Sequence, residues 1–401
     1  MLYAEHRGNQ SFMAENGYIL KHKNIPVLRF ILNEDFELTE ITEIINNERL
    51  PFGEKYKGNE KAQFKQFSDW IENRGLPRSR SDLANIQRDL NAKNSVELSF
   101  GSYALNLTDH YWVHKETESL LWEDINFFQH EFKKAVNFDF MGIQENKQVI
   151  VSPDLTVDGS LIKIWRIDKN NNRCLFKGSR YEEMQEPFNE VIASKIMNEF
   201  NINHVEYHLI RNEKNNAPIS VCKCMVDTET EFITARMVID TELKKERNEY
   251  NRIIDICKSN GIEDAKKHLD EIIALDFLIG NTDRHGGNFG IIRKPDNLKW
   301  LRMAPIFDNG NSLCHNEKTI NDLETSIDSH CRWFSGNNYE KLKYIDYPQW
   351  YKPNEIKKIL DIINDELKNN NNTSEEKRNM LIKIVTKRIT LFEKEMSLKK
   401  F

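Results

Sequence analysis

The 401-residue sequence has little cysteine, no long apolar run and no surplus of positive charge. Its six cysteines (Cys174, Cys222, Cys224, Cys257, Cys314 and Cys331) are scattered through a chain far too large to need a disulfide framework. The most apolar stretch, Ile272 to Ile279, is interrupted by Asp276 and falls well short of the roughly 20 residues that span a bilayer. The opening Met1-Leu-Tyr-Ala-Glu-His-Arg7 holds no apolar run, so no secretory signal and a cytoplasmic location are expected. The glycosylation triplets beginning at Asn106 and Asn371 then read as chance matches. Lys plus Arg is 57 against 63 Asp plus Glu, a net charge of −6. That balance excludes a chain whose main task is to coat nucleic acid or an anionic membrane. No helix-turn-helix or zinc-finger pattern is present, and Cys222-Lys-Cys224, Cys314-His315 and His330-Cys331 lack the usual spacing of zinc ligands. No period of 20 to 50 residues repeats, so solenoids and propellers are out.

What is present suits a soluble globular protein: 39% hydrophobic, 10% aromatic and 30% charged residues. At about 150 residues per domain the chain holds two or three domains. Three zones are expected. The first, 1–145, has a strand at Ile25 to Leu32 and helices at Thr39 to Asn47 and Lys61 to Arg74. A sheet edge is expected at Val96 to Leu105, and a dense aromatic group from Tyr111 to Phe128 reads as core. Arg74, Arg78 and Arg80 read as a solvated face. The second zone, 146–235, is β-rich: Leu161 to Trp165, Arg173 to Lys177, His204 to Ile210 and Ile219 to Met225 read as strands. A helix runs from Pro187 to Phe200, its proline in the first turn where the missing N–H is harmless. The third zone, 236–401, is mostly helical and ends in an amphipathic helix announced by a capping box, Thr373-Ser-Glu-Glu376. A small β-rich zone before a larger helical one is the layout of a two-lobed phosphotransferase.

The chemistry concentrates in Asn281-Thr-Asp-Arg-His-Gly-Gly-Asn288. A helix face of Leu269, Ile272, Ile273 and Ile279 ends at Gly280, and the chain then enters a loop rich in polar groups. Asp283 and Asn288 are five positions apart, the interval at which a kinase catalytic loop sets an Asp on the acceptor hydroxyl and an Asn carbonyl on a metal. Twenty residues on, Pro305-Ile-Phe-Asp308 brings a carboxylate after an apolar run. Asn288 and Asp308 together supply the oxygen donors that Mg²⁺ prefers.

This pattern resembles the HipA-like kinases, bacterial serine/threonine protein kinases with an atypical kinase fold. The resemblance covers roughly residues 150 to 320. It implies that Asp283 is the catalytic base and that Asn288 and Asp308 bind Mg²⁺. A kinase also needs a strand Lys on the α- and β-phosphates of ATP and a helix Glu to hold it. Lys177 and Glu190 fill those places, with Glu186 a competing partner expected to lie outside the helix. The hairpin over the phosphates is expected at Asp154 to Lys163, its amides from Val157 to Leu161 cradling phosphate around Gly159. The resemblance further implies a role for Lys163, four residues after Gly159, and makes Ser160 an autophosphorylation site by position. Adenine is expected against Ile219 to Met225 and the crossing segment Val226 to Phe232.

The expectation is therefore an α+β protein with a two-lobed protein-kinase-like fold behind an N-terminal α/β extension of unknown role. It uses ATP and Mg²⁺ to phosphorylate a protein Ser or Thr hydroxyl. The resemblance allows a toxin-type regulator with an antitoxin or regulatory partner, and no nucleic acid or membrane partner is expected. Phosphoinositide-type lipid kinases carry the same loop motif, but the acidic balance and lack of a polybasic stretch count against one. A nucleotide-binding module without catalysis is the third alternative, and the complete set of five residues counts against it.

Overall fold

The computed structural model describes residues 17–51, 58–80, 82–132, 152–157, 159, 161–241, 248–317, 333 and 337–399. The protein is α+β, with three antiparallel sheets. Its first sheet has the order β3-β2-β1-β4, built from β1 (Gly17–His22), β2 (Ile25–Leu32), β3 (Leu38–Ile44) and β4 (Tyr111–Lys115). Against it pack α1 (Glu60–Arg74), α2 (Leu83–Leu90) and α3 (Ser95–Gly101), with a short α4 (Trp122–Ile125) after β4.

Two segments here differ from expectation. Leu38, Ile41 and Ile44 recur at the spacing of a helix, yet they form β3. They face Leu32, Phe30 and Leu28 of β2, and two irregularities in the pairing let a period of three match the period of two on the neighbour. The β-branched Thr39, Ile41, Thr42 and Ile44 favour that outcome. Conversely, Val96 to Leu105 is no sheet edge but begins as α3, because the Asn94 side chain accepts the backbone N–H of Glu97 and starts a helix. The aromatic group is core as expected, with Tyr111, Trp112, Trp122 and Phe127 buried. Arg74 and Arg80 are not a solvated face. Arg74 is buried and grips Asp109 with both terminal nitrogens, 2.6 Å each. Arg80 is also buried and donates to Asp82 and to the Lys163 carbonyl. Only Arg78 of the three is exposed.

The second sheet has the order β5-β6-β8-β7, from β5 (Lys163–Ile167), β6 (Arg173–Lys177), β7 (Tyr207–Arg211) and β8 (Pro218–Lys223). α5 (Glu186–Glu199) packs on it, starting one residue before the expected proline, so Glu186 lies within the helix. The third sheet, β11-β10-β9, comprises β9 (Glu231–Thr234), β10 (Gly290–Arg293) and β11 (Trp300–Met303). Around it and the largest core cluster lie α6 (Ala235–Asp240), α7 (Glu249–Ser259), α8 (Ala265–Ile279), α9 (Asn338–Lys341), α10 (Lys358–Leu367) and α11 (Glu375–Leu398). The cap of α11 is Ser374, whose hydroxyl accepts the Lys377 N–H, not the Thr373 box expected. Thr373 instead accepts from Asn370.

The first sheet region shares a core with the second: Leu76, Leu105, Leu107 and Trp122 pack with Leu155, Val157, Ile164 and Trp165. Among the described residues no helix is long and apolar enough to cross a membrane. The expected boundary at residues 145 and 146, Ser160, and the His330-Cys331 pair lie outside the described residues.

Candidate active site

Where the second and third sheets meet there is a cavity of about 760 Å³. Gly159, Lys163, Lys177, Asp283, Asn288 and Asp308 all line it. Lys177 ends β6, opposite Lys163 at the start of β5 in register. Its ammonium donates to Glu190 Oε1 at 2.6 Å, to Asp308 Oδ1 at 2.7 Å and to the Tyr207 hydroxyl at 3.2 Å. Glu190 itself stands behind Lys177 rather than on the cavity wall. Glu186, the competing partner, accepts instead from Ser179 and from the Arg180 N–H.

Burial alone would lower the Lys177 pKa, but the carboxylates of Asp308 and Glu190 outweigh it and hold the ammonium well above its ordinary range. Burial would likewise raise Asp308, yet Lys177 and Lys163 keep its carboxyl well below the usual carboxylate range. Burial pushes Glu190 up, with the Lys177 charge opposing it. Asp308 sits at φ +59°, in the left-handed region that costs a non-glycine residue about 1–2 kcal/mol. Strain of this kind is commonly stored at functional sites.

The loop that carries Asp283 leaves α8 through Gly280, which adopts φ +64° to turn the chain. Its anchor is Arg284, completely buried. The guanidinium takes both oxygens of Asp276 at 3.0 Å each, the carbonyls of Asn288 and Phe307 at 3.0 and 2.8 Å, and Asn309 Oδ1 at 2.6 Å. One side chain thus joins α8, the loop and the segment after β11. Asp283 N–H is held by Asn281 Oδ1 at 3.0 Å, and Asn288 Nδ2 donates to the Asp283 carbonyl at 3.0 Å. With its nitrogen so engaged, Asn288 is oriented to offer its oxygen. Lys163 Nζ lies over Gly159, where an added Cβ would come within 2.4 Å of it, and Gly159 has φ +101°. A cation thus stands against a backbone conformation that glycine adopts readily. Cys222, Cys224, Met225 and Phe232 line the cavity on the side where a nucleobase was expected.

Sequence reasoning missed several contributors. Asp276 was legible only as a polar break in an apolar helix, which is the signal a buried ion pair leaves. Tyr207, Asn309 and Asn311 gave no signal. Nor did the first sheet region, although Asn106, Leu107 and Thr108 line the same cavity. There the Phe232 N–H donates to the Thr108 carbonyl at 2.8 Å, and Cys224 Sγ to the Leu107 carbonyl at 3.2 Å.

A family model described as the HipA-like C-terminal domain matches residues 142–371. The serine/threonine-protein kinase CtkA of Helicobacter pylori is 31% identical over 147 residues, 34% of this chain and 44% of that protein. The match therefore spans less than half of that relative's length. Among solved structures, HipA in the Shewanella oneidensis toxin–antitoxin complex of HipA, HipB and operator DNA aligns with TM-score 0.52 at 11% identity. That alignment covers 94% of this chain and 97% of the other, so the likeness in fold extends over most of the molecule. The crystal structure of the H. pylori proinflammatory kinase CtkA aligns with TM-score 0.45 at 20% identity, over 59% of this chain and 94% of the other.

Proposed function

The chain belongs to the family defined by the HipA-like C-terminal domain, and from that premise we propose that it is an ATP- and Mg²⁺-dependent serine/threonine protein kinase. The reading rests on one observation: a single ammonium, Lys177, joins Glu190 to Asp308 at the wall of a cavity that also holds Asp283 and Asn288. In this reading residues 146–235 form the small lobe, residues 236–401 form the large lobe, and residues 1–145 precede them.

Kinase membership implies ATP as the phosphoryl donor. The donor set fits a hard divalent cation, because the Asp308 carboxylate and the Asn288 side-chain oxygen are oxygen ligands of the kind Mg²⁺ takes. When bound, Mg²⁺ neutralises charge developing on the β- and γ-phosphates. The chain's own residues do the rest. Lys177 contacts the α- and β-phosphates, and Glu190 keeps its long side chain from leaving that line. Lys163 and the Gly159 backbone cover the phosphates from the opposite side. Asp283 orients the acceptor hydroxyl and accepts its proton. Positioning and charge neutralisation supply most of the rate.

The test is incubation of the purified protein with labelled ATP and Mg²⁺, alone, with a cell lysate, and with phosphoinositide vesicles. Phosphate on serine or threonine of a protein, lost with Asp283→Ala, supports the proposal. Transfer to lipid alone would make it a lipid kinase, and nucleotide binding with no transfer would make it a binding module.

A further inference from the structure

We infer that Asn311 is the positioning residue for Asp283, carried by a segment, residues 308–311, that α5 holds in place. The inference rests on the kinase reading and adds to it a residue that neither the loop motif nor the family match singles out. Asn311 lines the cavity, and its Nδ2 donates to Asp283 Oδ2 at 2.8 Å. The contact runs in both directions. The Thr282 N–H and hydroxyl donate to the Asn311 carbonyl at 3.0 and 3.1 Å. The amide is therefore fixed relative to the loop before it fixes the acid.

The chemistry explains why an amide serves here. A carboxylate can turn about its Cβ–Cγ bond, and a general base must present a lone pair to the acceptor hydroxyl at hydrogen-bonding distance. A neutral donor on one oxygen stops that rotation and sets the direction of the other. A carboxylate in the same place would repel Asp283.

The same short segment reaches α5. Asn309 N–H donates to Glu190 Oε2 at 2.9 Å, while Asn189 Nδ2 donates to the carbonyls of Gly310 and Ser312 at 2.9 and 2.7 Å. Adjacent residues of one helix thus grip both sides of Asn311. The Ser312 hydroxyl closes the turn on the Asn309 carbonyl at 2.8 Å. The helix that holds Lys177 through Glu190 thus also holds the segment that carries Asn311.

The experiment is steady-state phosphoryl transfer by the full chain, comparing wild type with Asn311→Ala, Asn311→Asp and Asp283→Ala, and with both Asn311 changes in the Asp283→Ala background. Thermal melts and nucleotide binding are measured alongside. Asn311→Ala should lower kcat by about tenfold or more while leaving the KM for ATP within about threefold, as expected for a group acting through general-base alignment. Asn311→Asp, nearly the same shape, should be at least as impaired as Asn311→Ala; a purely structural role predicts it to be the milder change. In the Asp283→Ala background neither change should lower the residual rate further. Asn311→Ala with wild-type kcat overturns the inference, and so does an undiminished effect without Asp283. A wild type that transfers no phosphate overturns the kinase reading itself, and the inference with it.

Discussion

Lys177 and Asp308 stand 131 positions apart in the chain and 2.7 Å apart in the fold. Their contact joins the second sheet to the segment following the third, and Glu190 completes it from α5. Replacing the lysine leaves two carboxylates facing each other in a buried site, which typically costs about 3–5 kcal/mol. Lys177→Met should therefore lower the melting temperature and reduce phosphoryl transfer by roughly two to three orders of magnitude, the usual loss for one removed charge stabiliser. Glu190→Gln should be milder in stability, because the ammonium still neutralises Asp308. Melts and single-turnover rates for the two variants check the order; equal destabilisation would refute it.

The fully buried guanidinium of Arg284 donates to Asp276, Asn288, Phe307 and Asn309. A lysine carries charge but only a point donor, so it cannot reproduce the fork. Arg284→Lys should cost about 3 kcal/mol or more, as breaking a buried pair does. It should also depress activity beyond the loss of folded protein, since the loop then loses its tie to Phe307 and Asn309. Activity normalised to folded fraction is the measurement. A fully active Arg284→Lys would show that the loop holds its shape without the fork.

Much of this was legible beforehand where one local rule decided the outcome. β2 and β6 fall on their expected residues, and α8 ends at Gly280 because only a left-handed residue turns the chain there. The spacing from Asp283 to Asn288 and on to Asp308 marked three residues that share one cavity. What stayed hidden depended on partners distant in sequence. β3 reads as a helix until the irregular pairing with β2 is known. Asn311 is an unremarkable residue after a turn until the fold sets it on Asp283. Residues 106–108 reach the cavity only because their loop pairs with β9, a contact across more than a hundred residues.

The first sheet region is fastened to β9 through a buried ionic group. Glu231 Oε2 lies 2.8 Å from His22 Nε2, and Arg293 Nε donates to Glu231 Oε1 at 2.6 Å. His110 Nδ1 is 3.4 Å away, and Arg49 NH1 is 2.6 Å from His22 Nδ1. Two histidines and a carboxylate this close are a set of metal-ligand types. Arg293 already pairs with the carboxylate and Arg49 already occupies His22 Nδ1, which leaves a cation poorly served. Burial works to raise Glu231, but Arg293 and His22 hold its carboxyl well below the usual range. Its stabilising contribution is thus present above the ordinary carboxylate pKa and is lost as pH falls through the depressed one. Glu231→Gln should cost about 3–5 kcal/mol at neutral pH, leaving the buried Arg293 without its carboxylate. Limited proteolysis should then cut residues 17–132 free sooner than in wild type. Unchanged cleavage and melting would mean that the shared apolar core alone holds the two regions together.

His268 and Glu271 sit three residues apart on α8, both buried, and burial moves them in opposite ways. It pulls His268 down from 6.5 to about 4 and pushes Glu271 up from 4.5 to about 7. For His268 the unfolded chain binds more protons between pH 6.5 and 4, so stability falls as pH drops through that window. For Glu271 the folded chain binds more protons between pH 4.5 and 7, so stability rises as pH drops through it. Each shift corresponds to about 3 kcal/mol, and in wild type the two slopes largely cancel between pH 6.5 and 4.5. His268→Gln should uncover the Glu271 slope, making the variant gain stability relative to wild type as the buffer is taken from pH 7 to 4.5. Glu271→Gln should do the reverse and steepen the acid loss. Denaturant unfolding across that range distinguishes them, and parallel pH profiles for both variants and wild type would show that neither group changes protonation on folding.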